Sequence, residues 1–104
     1  MSEAAVSITE TIDNSKETKL AILFVDDEKS ILSSLRRVFR TSPYKIYIAN
    51  SGAEGLEILE QNKIDLVVSD MRMPQMDGAQ FLSTVAENWP DTIRILLTGY
   101  SDLE

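Results

Sequence analysis

Four side chains in this sequence could do chemistry together: Asp26, Asp27, Asp70 and Thr98. Each stands at the end of a short apolar run. Leu20 to Val25 runs into Asp26-Asp27-Glu28, Leu66-Val67-Val68 runs through Ser69 into Asp70, and Ile93 to Leu97 runs into Thr98. Open α/β sheets place their chemistry at the carboxyl ends of strands, so these ends are expected to meet at one rim. Three carboxylates that close repel, and without a counter-ion at least one pKa rises. A hard divalent cation resolves the repulsion: Mg²⁺ takes oxygen ligands and usually keeps several waters. Such an ion grips an incoming phosphoryl group and neutralises its charge. A carboxylate beside the metal can then act as nucleophile and give an acyl phosphate. Asp70 is taken as the reactive member, with Thr98 offering its hydroxyl to a phosphoryl oxygen. The stretch Met71 to Asp77 supplies backbone carbonyls and amides at the same rim.

Each element also has a purely structural explanation. An acidic triplet before a helix ordinarily caps it and complements its dipole, which would account for Asp26-Asp27-Glu28. Asp70 could open a loop, and Thr98-Gly99 could be a turn. It is the convergence of acids and a hydroxyl at three separate strand ends that makes a site.

The elements that must position these residues alternate along the chain. Leu20 to Val25 and Ile64 to Val68 read as buried strands, because the runs show no polar alternation. A helix is expected from about Lys29, with Ile31, Leu32, Leu35, Val38 and Phe39 on one face and Arg36, Arg37 and Arg40 elsewhere. Thr41-Ser42-Pro43 breaks it. Tyr44 to Ala49 is the second strand, and Asn50-Ser51-Gly52 turns the chain and can cap a helix with Ala53, Leu56 and Leu59 inward. A third helix over Gly78 to Glu87 carries Phe81, Leu82 and Val85 as its stripe, and Ile93 to Leu97 is the fourth strand. Asp102-Leu103-Glu104 has the look of a first helical turn. Met1 to Thr18 is polar and reads as a flexible tail. Strand and helix in alternation argue a parallel sheet with helices on both faces, an α/β fold.

Composition narrows the chemistry. With 104 residues the chain is one domain at most. It contains no histidine, which excludes His-based acid/base catalysis and histidine-ligated metals. The absence of cysteine removes disulfides and thiolate sites. A formal net charge of −7 disfavours direct nucleic-acid binding. The sequence has no bilayer-spanning run and no signal-peptide pattern at its start, which fits a cytoplasmic protein with no membrane partner.

Three motifs carry a family resemblance: Ile22-Leu23-Phe24-Val25-Asp26-Asp27-Glu28, Asp70-Met71-Arg72-Met73-Pro74-Gln75-Met76-Asp77-Gly78, and Leu96-Leu97-Thr98-Gly99-Tyr100. From about Leu20 onward the chain resembles the receiver domain of two-component response regulators. The resemblance implies a flavodoxin-like sheet of order 2-1-3-4-5. It also implies that Asp70 accepts a phosphoryl group from a sensor histidine kinase or phosphotransfer protein. In that likeness Asp27 binds Mg²⁺ directly, Asp26 largely through water, and the backbone carbonyl of Arg72 completes the protein ligands. Thr98 would be the switch hydroxyl, and Arg72 and Tyr100 would tune the lifetime of the acyl phosphate. Pro74 and Gly78 would shape the loop.

Two family features are missing before Glu104: a fifth strand ending in a lysine, and an aromatic switch residue on it. Lys29 is the lysine nearest the acids in sequence but opens the first helix, so it does not substitute. The expectation is a receiver over residues 19–104, lacking its C-terminal strand and helices and retaining about four strands of the usual five. Its fourth strand would present an apolar edge, which invites self-association. Besides a phospho-accepting signalling module, two other functions fit these residues. One is a docking or dimerisation fragment that is never phosphorylated. The other is a Mg²⁺-dependent aspartyl phosphohydrolase, which would want an Asp-x-Asp pair where this chain has adjacent acids.

Overall fold

A computed structural model describes residues 19–98. Strands β1 (Ala21–Val25), β2 (Lys45–Ala49), β3 (Leu66–Asp70) and β4 (Ile93–Leu97) alternate with helices α1 (Lys29–Val38), α2 (Gly52–Gln61) and α3 (Gly78–Asn88). All strand pairs are parallel, in the order β2-β1-β3-β4. This is the order that the resemblance implies for the first four strands. The proposed tail, 1–18, and the helical turn at 102–104 lie outside the described residues, as does Tyr100.

β1 is flanked on both sides, and all five of its residues are buried. Successive side chains along a strand point to opposite faces, so β1 feeds two cores. Leu23 and Val25 pack with Val67, Leu59, Phe81 and Val85 beneath α2 and α3. Ile22 and Phe24 pack with Leu32 of α1, where the Phe24 and Phe39 rings lie 5.4 Å apart. Among the described residues, one face of the sheet is therefore covered by two helices and the other by one.

The helix faces differ in two places from those expected. On α1 the working stripe is Leu32, Leu35 and Phe39, while Ile31 and Val38 are exposed. The latter two are seven residues apart and share a flank about 40–60° beyond Leu35 at the edge of the stripe, out of reach of the sheet. On α2 the buried residues are Gly52, Gly55 and Leu59; Ala53 is exposed. Glycine serves here because the helix is pressed against its neighbours. A Cβ on Gly55 would lie 2.9 Å from the Phe81 ring and 3.3 Å from Val25. Gly55→Ala gains helix propensity, yet overpacking costs typically about 1–3 kcal/mol against a propensity gain of about 1 kcal/mol. A net destabilisation is expected, read as a lower urea midpoint at unchanged m-value.

β1 begins at Ala21 and not Leu20, and β2 at Lys45 and not Tyr44. Polar groups that the apolar pattern did not reveal, partly buried Asp65 and buried Thr92, fasten the amino end of the sheet. The Asp65 carboxylate accepts the Ala21 N–H at 2.8 Å, and the buried Thr92 hydroxyl donates to the Ile64 carbonyl at 2.9 Å.

Among the described residues β4 is one of the two edge strands of the sheet, β2 being the other. Ile93, Ile95 and Leu97 are exposed and stand in register with Leu66, Val68 and Asp70. The apolar exposure is therefore on a sheet face, the α1 side, as well as along an edge. Arg94 points the other way and donates to the Thr92 carbonyl at 2.8 Å.

Candidate metal and phosphoryl site

β1 and β3 are adjacent and in register, so the acids that follow or end them arrive together. One carboxylate oxygen each from Asp26, Asp27 and Asp70 lie within 4.8 Å of one another. Asp27 is exposed, and Asp26 and Asp70 are partly buried. A side-chain cap on α1 does not account for them. Glu28 is the N-cap of α1, and no side chain caps that helix. Among the described residues Asp26 accepts only the Glu28 N–H, at 2.9 Å, and is held by its own backbone N–H bonding the Ala49 carbonyl at 3.1 Å. True side-chain caps are found on the other two helices: Ser51 on α2, and Asp77 with Gln80 as a reciprocal capping box on α3.

Burial raises the Asp26 pKa above the ordinary carboxylate range, and the charges of Asp70, Asp27 and Glu28 push the same way. The Glu28 N–H is the one influence that lowers it. A folded-state pKa above the unfolded one means that the native protein binds the extra proton. Stability then falls as pH rises from the ordinary carboxylate range through the raised value. Asp26→Asn retains an acceptor for the Glu28 N–H and removes the charge. In metal-free protein it is expected to raise the melting temperature at neutral pH, with the gain shrinking as pH falls through that window.

The loop after Asp70 is fixed at both ends. The Met71 N–H bonds the Leu97 carbonyl at 3.0 Å, and the Gly78 N–H bonds the Met71 carbonyl at 2.8 Å. Gly78 is necessary for this closure: a Cβ there would fall onto the Asp70 carbonyl oxygen and 2.7 Å from Leu96. Within the loop, Gln75 takes a positive φ of 72°. Asp27, Met71, Arg72, Met73, Pro74 and Asp77 line an open hollow of about 560 Å³ beside the acids. Behind it, the fully buried Ser69 hydroxyl donates to the Asp70 carbonyl at 2.9 Å. The apolar reading of β3 passed over this residue.

Thr98 follows Leu97, which is the register partner of Asp70, so its backbone reaches the same rim. Thr98 and Arg72 are both exposed. The donor set suits a hard divalent ion, since it consists of three clustered carboxylates, one of them with a pKa raised by burial and, secondarily, by its acidic neighbours.

The family model for the response regulator receiver domain matches residues 22–104. The chain belongs to this family. It is 38% identical over 82 residues to the transcriptional regulatory protein GlrR of Escherichia coli K12, a match covering 79% of this chain and 18% of GlrR. The receiver thus spans about a fifth of that relative's length. Among solved structures, the signal receiver domain of an HD domain-containing protein from Pseudomonas fluorescens Pf-5 has a TM-score of 0.75 and 37% identity. That match covers 78% of this chain and 65% of the other. A receiver domain from Clostridium thermocellum has a TM-score of 0.73 and 35% identity, covering 81% of this chain and 68% of that one. The flavodoxin-like architecture that the family resemblance implied is the one these receivers share. Receivers are signalling modules of two-component systems. No helix among the described residues is long and apolar enough to cross a membrane.

Proposed function

We propose that this receiver takes a phosphoryl group on Asp70, from a histidine kinase or phosphotransfer protein, and relays it as a conformational signal. The observation that carries this reading is the meeting of Asp26, Asp27 and Asp70 beside an open hollow, with no side-chain cap hydrogen bond on α1 to account for the acids before it. Asp26, Asp27, Asp70 and the Arg72 backbone carbonyl would hold Mg²⁺. When bound, the ion supplies charge neutralisation for the phosphoryl oxygens.

In the transfer step an Asp70 carboxylate oxygen attacks phosphorus. The bond from phosphorus to the donor's imidazole nitrogen breaks, and its electron pair departs with the imidazole. Asp70 is left as an acyl phosphate. The Thr98 hydroxyl then donates to a phosphoryl oxygen and shifts toward it, which converts modification into a change at the end of β4.

Incubation with acetyl phosphate, with Mg²⁺ or with chelator, tests this reading by intact mass. One added phosphoryl group, present only with the metal, is expected. Turnover of the donor without an adduct would favour a hydrolase instead. Asp27→Asn removes a direct ligand and is expected to weaken Mg²⁺ binding, measured by calorimetry, by at least the roughly 10–100-fold typical of losing an outer-shell partner at a metal site.

A second reading, docking through self-association, is favoured by the exposed Ile93, Ile95 and Leu97 on β4. It predicts a concentration-dependent size over a dilution series, and a monomer at high concentration contradicts it.

A further inference from the structure

The ends of α1 are opposite in charge. Its first turn follows Asp26-Asp27-Glu28, whereas its last turn and the residues after it carry Arg36, Arg37 and Arg40. The chain holds 17 acids against 10 lysines and arginines, so partners for these cations are plentiful in sequence. Yet none of the three pairs with another described residue. All three are exposed.

These arginines surround a hollow of about 520 Å³, whose other walls are Ser33, Phe39, Tyr44 and Ile46. Its floor is fixed. Phe39 is half-buried against Phe24, and the turn beyond it is pinned by the Arg40 N–H to the Arg37 carbonyl and the Ser42 N–H to the Phe39 carbonyl. Tyr44 stands 41% exposed above that floor, its N–H bonding the Ser42 hydroxyl at 3.3 Å. The helix dipole favours basic residues at this end. It does not call for a rigid aromatic hollow between them.

We infer that this hollow docks an acidic segment of a partner protein. The segment would present two or more carboxylates to Arg36, Arg37 and Arg40, and one apolar or aromatic side chain to the space between Phe39 and Tyr44. The guanidinium fork matches a carboxylate bidentately, and arginine and tyrosine are the residue types that anchor interfaces. A nucleic acid is the poorer occupant, because a chain of net charge −7 repels a polyanion beyond the contact itself. The hollow lies a helix length, about 15 Å, from the acidic cluster. A partner seated there leaves Asp70 open, so this docking stands or falls independently of phosphorylation.

The test uses a fluorescein-labelled helical peptide with glutamates and one phenylalanine on the same face. Its glutamine counterpart and a single-stranded oligonucleotide of equal charge serve as comparison probes. Anisotropy titrations are run on the full chain at low and moderate salt, with amide shifts mapped by NMR. The acidic peptide is expected to saturate and to shift amides between Arg36 and Ile46. Binding should weaken by at least about tenfold, the scale of an interface anchor, with the glutamine peptide and with Arg36→Gln/Arg37→Gln/Arg40→Gln. Tyr44→Ala, which leaves the charge unchanged, should weaken it as well, and so tests the hollow even if the triple variant fails to fold. Phosphoryl uptake should be the same in these variants as in the wild type. Tighter binding of the oligonucleotide, shifts away from α1, equal binding of the glutamine peptide, or self-association lost in the same variants would each overturn the inference.

Discussion

Asp70→Asn is expected to abolish phosphoryl uptake from a small donor, leaving no added mass under conditions that label the wild type. Asparagine preserves the side-chain shape at the end of β3 and removes the nucleophilic carboxylate. The fold should not suffer. Asp70 is one of the charges that raise the Asp26 pKa, so its neutralisation relieves repulsion, and the melting temperature of the metal-free variant should hold or rise. This pairing of outcomes separates lost chemistry from lost structure. An adduct that persists in Asp70→Asn would move the acceptor to another residue, with Asp26 and Asp27 the nearest alternatives.

Phe81→Ala should have the largest effect on stability. Phe81 is fully buried, and its ring fills the space that a side chain on Gly55 would take. It therefore joins α3 to α2 and to Val25 of the central strand. Truncating a buried phenylalanine costs about 3–5 kcal/mol, where a whole domain commonly has about 5–15 kcal/mol. Chemical denaturation should show a large fall in midpoint. The consequence extends to the site, because α3 begins at Gly78, packed on the Asp70 carbonyl, and so anchors the loop that lines the hollow. A loss below about 1 kcal/mol, small for a core truncation, would mean that α3 is not joined to the sheet as described.

The parts of this receiver that were legible in sequence are those set by one-dimensional patterns. Apolar runs located all four strands, and acids at their ends located Asp26, Asp27 and Asp70. Adjacency of β1 and β3 then brought the acids together. Contacts that depend on how closely elements approach left no such pattern. Gly52 and Gly55 face the core of α2, but glycine carries no apolar signal, so the expected stripe included Ala53 instead. Periodicity marked Ile31 and Val38 as inward-facing on α1, although a helix alone on its side of the sheet buries a narrower stripe. The acidic triplet fits the ordinary pattern of a helix cap, and only the hydrogen bonds show that Glu28 does not cap with its side chain. Ser69 and Thr92 are buried because each hydroxyl has a carbonyl partner, a relation visible only in three dimensions.

The most direct measurement is to locate the phosphoryl group. The chain is incubated with Mg²⁺ and acetyl phosphate and then treated with borohydride, which reduces an acyl phosphate and converts the aspartyl side chain to that of homoserine. Peptide mass mapping should find that change at Asp70 and at no other acid, and only when Mg²⁺ was present. Reduction at a different carboxylate, or no reduced residue in protein shown by calorimetry to bind Mg²⁺, would contradict the assignment of Asp70 as the phospho-acceptor.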